Sequence, residues 1–202
     1  MNASAARIAP ATARNREPIL AVLRRVLPER GTMLETNSGT GEHAAYFAVH
    51  LPHLIWQPTD VDPEALASIE AHRGAANAPN LLAPLKLDVL SPNWPLTKAD
   101  AIVSINMIHI APWAAAEGLM AGARRLLAPG CALYLYGPFK EDGQHTAPSN
   151  TSFDASLRAQ NPEWGVRDTG EVIKLAANYR FEFVERVAMP ANNLSLVFRR
   201  AA

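Results

Sequence analysis

Apolar residues recur along this chain in two alternating rhythms. Over residues 13–27, Ile19, Leu20, Leu23, Val26 and Leu27 share one face at helical spacing, and Pro28 and Gly31 close the segment. A short apolar strand follows at 33–36, then a small-residue turn and a helix over 41–51. Residues 54–60, LIWQPTD, read as a second strand, and Pro63 opens a helix in the favoured first position. LAPLKLDV (82–89) gives a third strand, and ADAIVSINMIHI (99–110) contains a fourth. A helix over 113–127 carries Leu119, Met120, Ala123, Leu126 and Leu127. Pro129 and Gly130 terminate it before a fifth strand in CALYLYGPF. Residues 1–12 read as a loose arm, and 140–152 as a Gly-, Ser- and Asn-rich loop. The tail then gives a helix over about 168–177 and two strands, FEFVERVAMP and NNLSLVFRR, turning at 190–193.

Strands that are continuous apolar runs, alternating with helices, predict an α/β fold of Rossmann-like, doubly wound type, its parallel sheet covered on both faces. The terminal hairpin adds an antiparallel strand. With 202 residues, no internal repeat and no linker, the chain reads as one domain over 1–202.

Composition narrows the function classes. Charged residues make up 19% and apolar residues 49%, which is globular. Nineteen basic and nineteen acidic residues cancel, so no general nucleic-acid surface is expected. The lone Cys131, at the start of an apolar strand, reads as a buried structural thiol. No run is long and apolar enough to span a membrane, and MNASAARIAPATARNR lacks the apolar core of a secretory signal. The expectation is a cytoplasmic protein, monomer or homodimer, with a small-molecule substrate and no membrane partner.

The most informative stretch is TMLETNSGTG, 32–41, a strand ending in Glu35, then a turn holding Gly39 and Gly41, then a helix. Glycines let backbone approach a ligand, and the helix start offers free N–H groups. Gly39 to Ala44 also fits the dinucleotide pattern G-x-G-x-x-G/A, with Asp60 about 20 residues on. The motif therefore leaves NAD and S-adenosylmethionine both open. Strand ends supply the chemistry in such folds. The first three end at Glu35, Asp60 and Asp88, which suits an amino group, a ribose diol and an adenine amine, although acids there also cap helices. Capping is the preferred reading for Asp62. Beyond the fourth strand lie Asn106 and His109, the latter either a general base or a histidine bonding a loop carbonyl. Tyr136 ends the fifth strand and either orients substrate or packs. Trp113 and Phe139 wall the pocket or belong to the core. Arg14 or Asn15, on a first helix folded over the cofactor, would meet a methionine carboxylate, or else be solvated. Asn192-Asn193 is a hairpin turn or a pair of site amides. The spacing of His43, His50 and His53 gives no metal site.

LETNSGTGEHAAYFA, WQPTDVDPEAL, LKLDV, DAIVSINMIHI and LLAPGCALYLYGPF together resemble a class I S-adenosylmethionine-dependent methyltransferase over nearly the whole chain. More narrowly, ARNREPIL, SGTGEHAAYFA, NMIHIAPW, LYGPF, WGVRD and PANNLSLVF resemble the methyltransferase-like 26 family. The resemblance implies a seven-stranded sheet with an antiparallel seventh strand. It implies S-adenosyl-L-methionine as cofactor, held at Glu35, Gly39, Gly41, Asp60 and Asp88, with Arg14, Asn15, Ser38, Val89 and Asn106 beside them. His109 and Tyr136 are the catalytic candidates, and no metal is implied. Where the general motif has its first glycine this chain has Asn37, which tolerates left-handed backbone. Methyl transfer to O, N or S of a small molecule is the leading expectation. A non-catalytic S-adenosylmethionine sensor or partner subunit is the alternative. An NAD-dependent oxidoreductase ranks below both, since Tyr136 and Lys140 are separated by Gly137-Pro138 and form no helical Tyr-x-x-x-Lys pair.

Overall fold

The computed structural model describes residues 6–202. The chain runs α1 (Pro10–Val26), β1 (Gly31–Thr36), α2 (Glu42–His50), β2 (Leu54–Asp60), α3 (Pro63–Ala76), β3 (Leu85–Lys86), β4 (Ala99–Ile105), α4 (Trp113–Leu126) and β5 (Leu127–Gly137). It continues through β6 (Phe139–Glu141), β7 (Gln144–His145), α5 (Pro148–Gln160), β8 (Arg167–Asp168), α6 (Thr169–Asn178), β9 (Phe181–Met189) and β10 (Asn193–Arg200). The main sheet has seven strands in the order β3-β2-β1-β4-β5-β10-β9. All are parallel except β10, which runs antiparallel to both neighbours. Strand order reverses between β1 and β4, so a crevice opens above their carboxyl ends.

Successive side chains alternate between two cores. Met33 joins the cluster of Ile19, Leu23, Phe47 and Trp56 on the α1–α2 face, and Leu34 joins Ile102, Leu119, Leu133 and Leu196 on the α4–α6 face. On α1, the inward face begins polar, with Thr12 and Asn15, and becomes apolar from Ile19 onward. The first two turns of α1 therefore bury polar side chains, Asn15 against His43 of α2.

Three local expectations change. Pro10 starts α1, so 10–12 are helical rather than loose. The segment before it is tied down as well, with Arg7 N–H donating to Ser68 Oγ at 2.8 Å and Ala9 N–H to Glu42 Oε2 at 2.6 Å. Residues 1–5 of the expected arm lie outside the described residues. The third strand shrinks to two residues because Pro84 interrupts it. The expected loop at 140–152 holds β6, β7 and the start of α5, and β7-β6-β8 form a second, three-stranded sheet. Its hub is Asp154 on α5, which meets Lys140 Nζ at 3.0 Å, His145 Nε2 at 3.2 Å and Arg158 Nε at 3.2 Å. Cys131 is half-buried against the α4–α6 core.

Candidate functional site

The turn between β1 and α2 is built around left-handed backbone. Asn37, Gly39 and Gly41 have φ of 54°, 59° and 88°. Asn37 thus takes a conformation open to glycine and, among side-chain-bearing residues, mainly to Asn and Asp. The turn is latched to the end of β2 by Ser38, whose N–H donates to Thr59 O at 2.8 Å and whose Oγ accepts from Thr59 N–H at 3.3 Å. Asp60 completes the grip. Its Oδ2 accepts the Gly39 N–H at 2.9 Å and its Oδ1 the Asp62 N–H at 3.0 Å. Asp62 then caps α3 through Glu64 N–H, as expected. The two glycines differ. A Cβ at Gly41 would come within 2.6 Å of Ile69 Cα, so it permits α2 and α3 to touch, whereas at Gly39 it would meet nothing within 4 Å.

Glu35, at 1% exposure, sits beneath this turn and accepts the Trp56 indole N–H at 2.6 Å. Burial pushes its carboxyl up to about 7, opposed by the Trp56 and Ser38 hydrogen bonds and reinforced by the nearby charge of Asp60. Asp88 is exposed. It accepts the Leu90 N–H at 2.9 Å and closes a local turn. Leu87 N–H bonds Asp60 O at 3.0 Å, which brings the Asp88-Val89 segment beside the end of β2. Val61, directly after Asp60, and Leu90, two residues after Asp88, are 46% and 54% exposed. Sequence reading passed over both. Their signal is a large apolar residue within two positions of Asp60 and of Asp88.

At the ends of β4 and β5, Asn106 is left-handed at φ 61° and donates its N–H to Tyr136 O at 2.8 Å. His109 is buried. It has no exposed surface, its Nδ1 accepts the Arg167 N–H at 3.3 Å, and its ring lies edge-on to Phe139 at 4.8 Å. Burial, with the Arg167 charge, lowers its pKa to about 3. The enclosed ring joins the β4–α4 loop to β8, and its Nε2 makes no hydrogen bond among the described residues. Phe139 is likewise core, while Trp113 is partly buried under the Arg167 guanidinium.

Tyr136 is buried on the α1 side, and its hydroxyl makes no hydrogen bond among the described residues. Burial raises its phenol pKa, with Asn15, Arg14 and Asn193 acting the other way. The structure therefore brings Arg14, Asn15 and Tyr136 together at one end of the crevice, and Glu35, Ser38, Gly39, Gly41 and Asp60 at its centre. Asn193 shares that first group. Asn192 belongs to the hairpin turn, left-handed at φ 58°. Among the described residues no cluster of His, Cys, Asp and Glu could hold a metal, and no helix is long and apolar enough to cross a membrane.

Solved structures share this fold. An O-methyltransferase family protein from Burkholderia thailandensis superposes with TM-score 0.79 at 16% identity, over 95% of this chain and 58% of its own. Human N-acetylserotonin methyltransferase, in complex with SAM, gives 0.78 at 14% identity, over 95% and 53%. CalO1, a methyltransferase of calicheamicin biosynthesis in its SAH-bound form, gives 0.72 at 17% identity, over 95% and 54%. The chain spans little more than half the length of these structures, and at such identities the likeness is one of fold. Over residues 6–200 the chain matches the model of a family described as a protein of unknown function (DUF938), and it belongs to that family, carried on the methyltransferase type of Rossmann-like fold.

Proposed function

We propose that this chain is an S-adenosylmethionine-dependent methyltransferase of small molecules, within the group resembling the methyltransferase-like 26 family. The observation that carries the reading is the left-handed turn gripped by Asp60 at the point where strand order reverses. Open space beside Gly39 leaves its backbone free to meet a ligand. Structural neighbours recorded with SAM or SAH support the cofactor.

In this reading Glu35 takes the cofactor's ammonium group and Asp60 its ribose diol. Asp88 takes the adenine amine, with Val61, Val89 and Leu90 as apolar edges. Ser38, Gly39, Gly41 and Asn106 supply backbone around the amino-acid end, and Arg14 and Asn15 close over it from α1. When bound, the cofactor supplies a methyl group activated by its sulfonium. The protein's part is to orient donor and acceptor and to exclude water. His109 is sealed and the Tyr136 phenol stays protonated near neutrality, so neither serves as base there. Tyr136 acts as a hydrogen-bond donor, and the acceptor is a nucleophile that needs no base from these two residues.

Incubation with methyl-labelled S-adenosylmethionine and a panel of small amines, thiols and acidic hydroxyls tests the reading. Label transfer to any of them supports it. Cofactor binding without transfer favours the second reading, a non-catalytic sensor or partner subunit, which the burial of His109 specifically favours.

A further inference from the structure

The tip between β9 and β10 has no role in cofactor binding, yet its backbone is strained. Ala191 and Asn192 are left-handed in succession, with φ of 57° and 58°. Neither is glycine, and each such residue costs about 1–2 kcal/mol. Strain of this kind persists where the surroundings enforce it. Here α5 enforces it. Asn150, 4% exposed, donates from Nδ2 to Asn192 O at 2.9 Å, and Asn192 Nδ2 donates to Ser149 Oγ at 3.3 Å.

The tip in turn fixes Asn193. Its Nδ2 donates to Pro190 O at 3.1 Å and to Ala191 O at 3.4 Å. Carbonyls face only the NH2 end of an amide, so Oδ1 is the end left to accept. Ser195 stands opposite Tyr136 in the pairing of β10 with β5. Asn193, two residues along, is therefore the diagonal neighbour of Tyr136 on the same sheet face. The Tyr136 hydroxyl makes no hydrogen bond among the described residues. A pinned acceptor thus stands beside an available donor. Strand order puts both beyond β4 from the Gly39 turn.

An accepting oxygen there calls for an N–H or O–H on the ligand. An amide oxygen is no base, so the group it holds attacks with a lone pair while keeping its proton. A neutral amine does this, whereas a phenol or thiol first has to lose its proton. We propose that Asn193 Oδ1 holds the methyl acceptor, and that this acceptor is a primary or secondary amine of the arylamine type, neutral near pH 7. The proposal rests on the methyltransferase reading. The nitrogen lone pair forms the N–C bond, the C–S bond breaks with its electrons left on sulfur, and the product ammonium passes its proton to water.

Methyl-labelled S-adenosylmethionine, offered with ring-substituted anilines and their N-methyl, N,N-dimethyl, phenol and thiophenol counterparts, tests this beside calorimetry with S-adenosylhomocysteine. The expected result is label on primary or secondary anilines and none on the N,N-dimethyl series, which has a lone pair but no N–H. Asn193→Ala lowers kcat/KM for the best aniline by about tenfold, the loss of one hydrogen bond, and leaves S-adenosylhomocysteine affinity unchanged. Asn193→Asp, which keeps an accepting oxygen, recovers most of the loss. Label on phenols or thiols alone, equal transfer to the N,N-dimethyl series, or amine transfer that Asn193→Ala leaves intact overturns the assignment while the cofactor reading stands. Absence of label on every compound while S-adenosylhomocysteine binds overturns it too. If S-adenosylhomocysteine does not bind either, both proposals fall.

Discussion

Asp60 and Gly39 are joined by a 2.9 Å hydrogen bond in which a strand-end carboxylate accepts the N–H of the turn it faces. The same carboxylate holds the start of the next loop through Asp62. One side chain therefore fixes the two segments that line the centre of the crevice. Asp60→Ala leaves both N–H groups without their acceptor. It lowers stability by about 1–3 kcal/mol and weakens S-adenosylmethionine by more than about tenfold. Asp60→Asn, which keeps one acceptor oxygen, falls between. Thermal melts and calorimetry on the three proteins measure this.

Glu35 makes a pH prediction. Burial raises its carboxyl to about 7 in the folded chain, from the ordinary 4.5 of an exposed glutamate. The stability it contributes is fully present below the unfolded value and is lost as pH rises through the folded one. The loss between about pH 4.5 and 7 is on the order of 3 kcal/mol. Glu35→Gln keeps an acceptor for Trp56 and abolishes this term, so the variant is more stable than the parent at pH 8. Ligand binding runs the other way. The ammonium needs the ionised carboxylate, so affinity rises from pH 6 to 7.5 in the parent and stays flat and weaker in the variant.

The two turn glycines separate fold from function. Gly41→Ala drives a Cβ into the Ile69 backbone at φ 88°, and lowers the melting temperature sharply, by several kcal/mol in stability. Gly39→Ala meets no atom within 4 Å and bears only left-handed strain, about 1–2 kcal/mol. Its methyl nevertheless occupies the ligand's side of the turn, so affinity falls more than stability does.

His43 and His109 are both held neutral, with folded pKa values of about 4 and 3. Depressed values of this kind supply stability above the unfolded value of 6.5 that disappears as pH falls toward the folded values. The chain therefore loosens on acidification from pH 6.5, and these two rings oppose Glu35 in that range. His109→Ala costs about 2–5 kcal/mol as a buried ring is removed. Any turnover that survives in the folded fraction keeps its pH profile. A variant profile that loses the parent's low-pH limb would make His109 the general base.

Much of this architecture was legible because it follows from apolar rhythm. Ile19, Leu23 and Val26 fix α1, and the runs around Met33, Ile102 and Leu133 fix central strands that bury both faces. Strand-end acids were readable for the same reason, since a run that stops at Glu35 or Asp60 marks its own end. The first turns of α1 were illegible because Thr12 and Asn15 are buried polar residues, invisible to an apolar period. The stretch at 148–160 failed likewise. Its inward positions are Asn150, Asp154 and Leu157, and only one of them is apolar. His109 was ambiguous because nothing local says that residues 165 and 167 will close over it. His43 and Asn15 are 28 residues apart, and only the packing of α1 on α2 reveals the pair.

Calorimetric titration of the purified protein with S-adenosylmethionine, S-adenosylhomocysteine and NAD, with Asp60→Ala as control, tests the central claim most directly. The prediction is binding of both sulfur ligands, weakened in the variant, and none of NAD. Absence of binding by either sulfur ligand, or binding of NAD in their place, contradicts it.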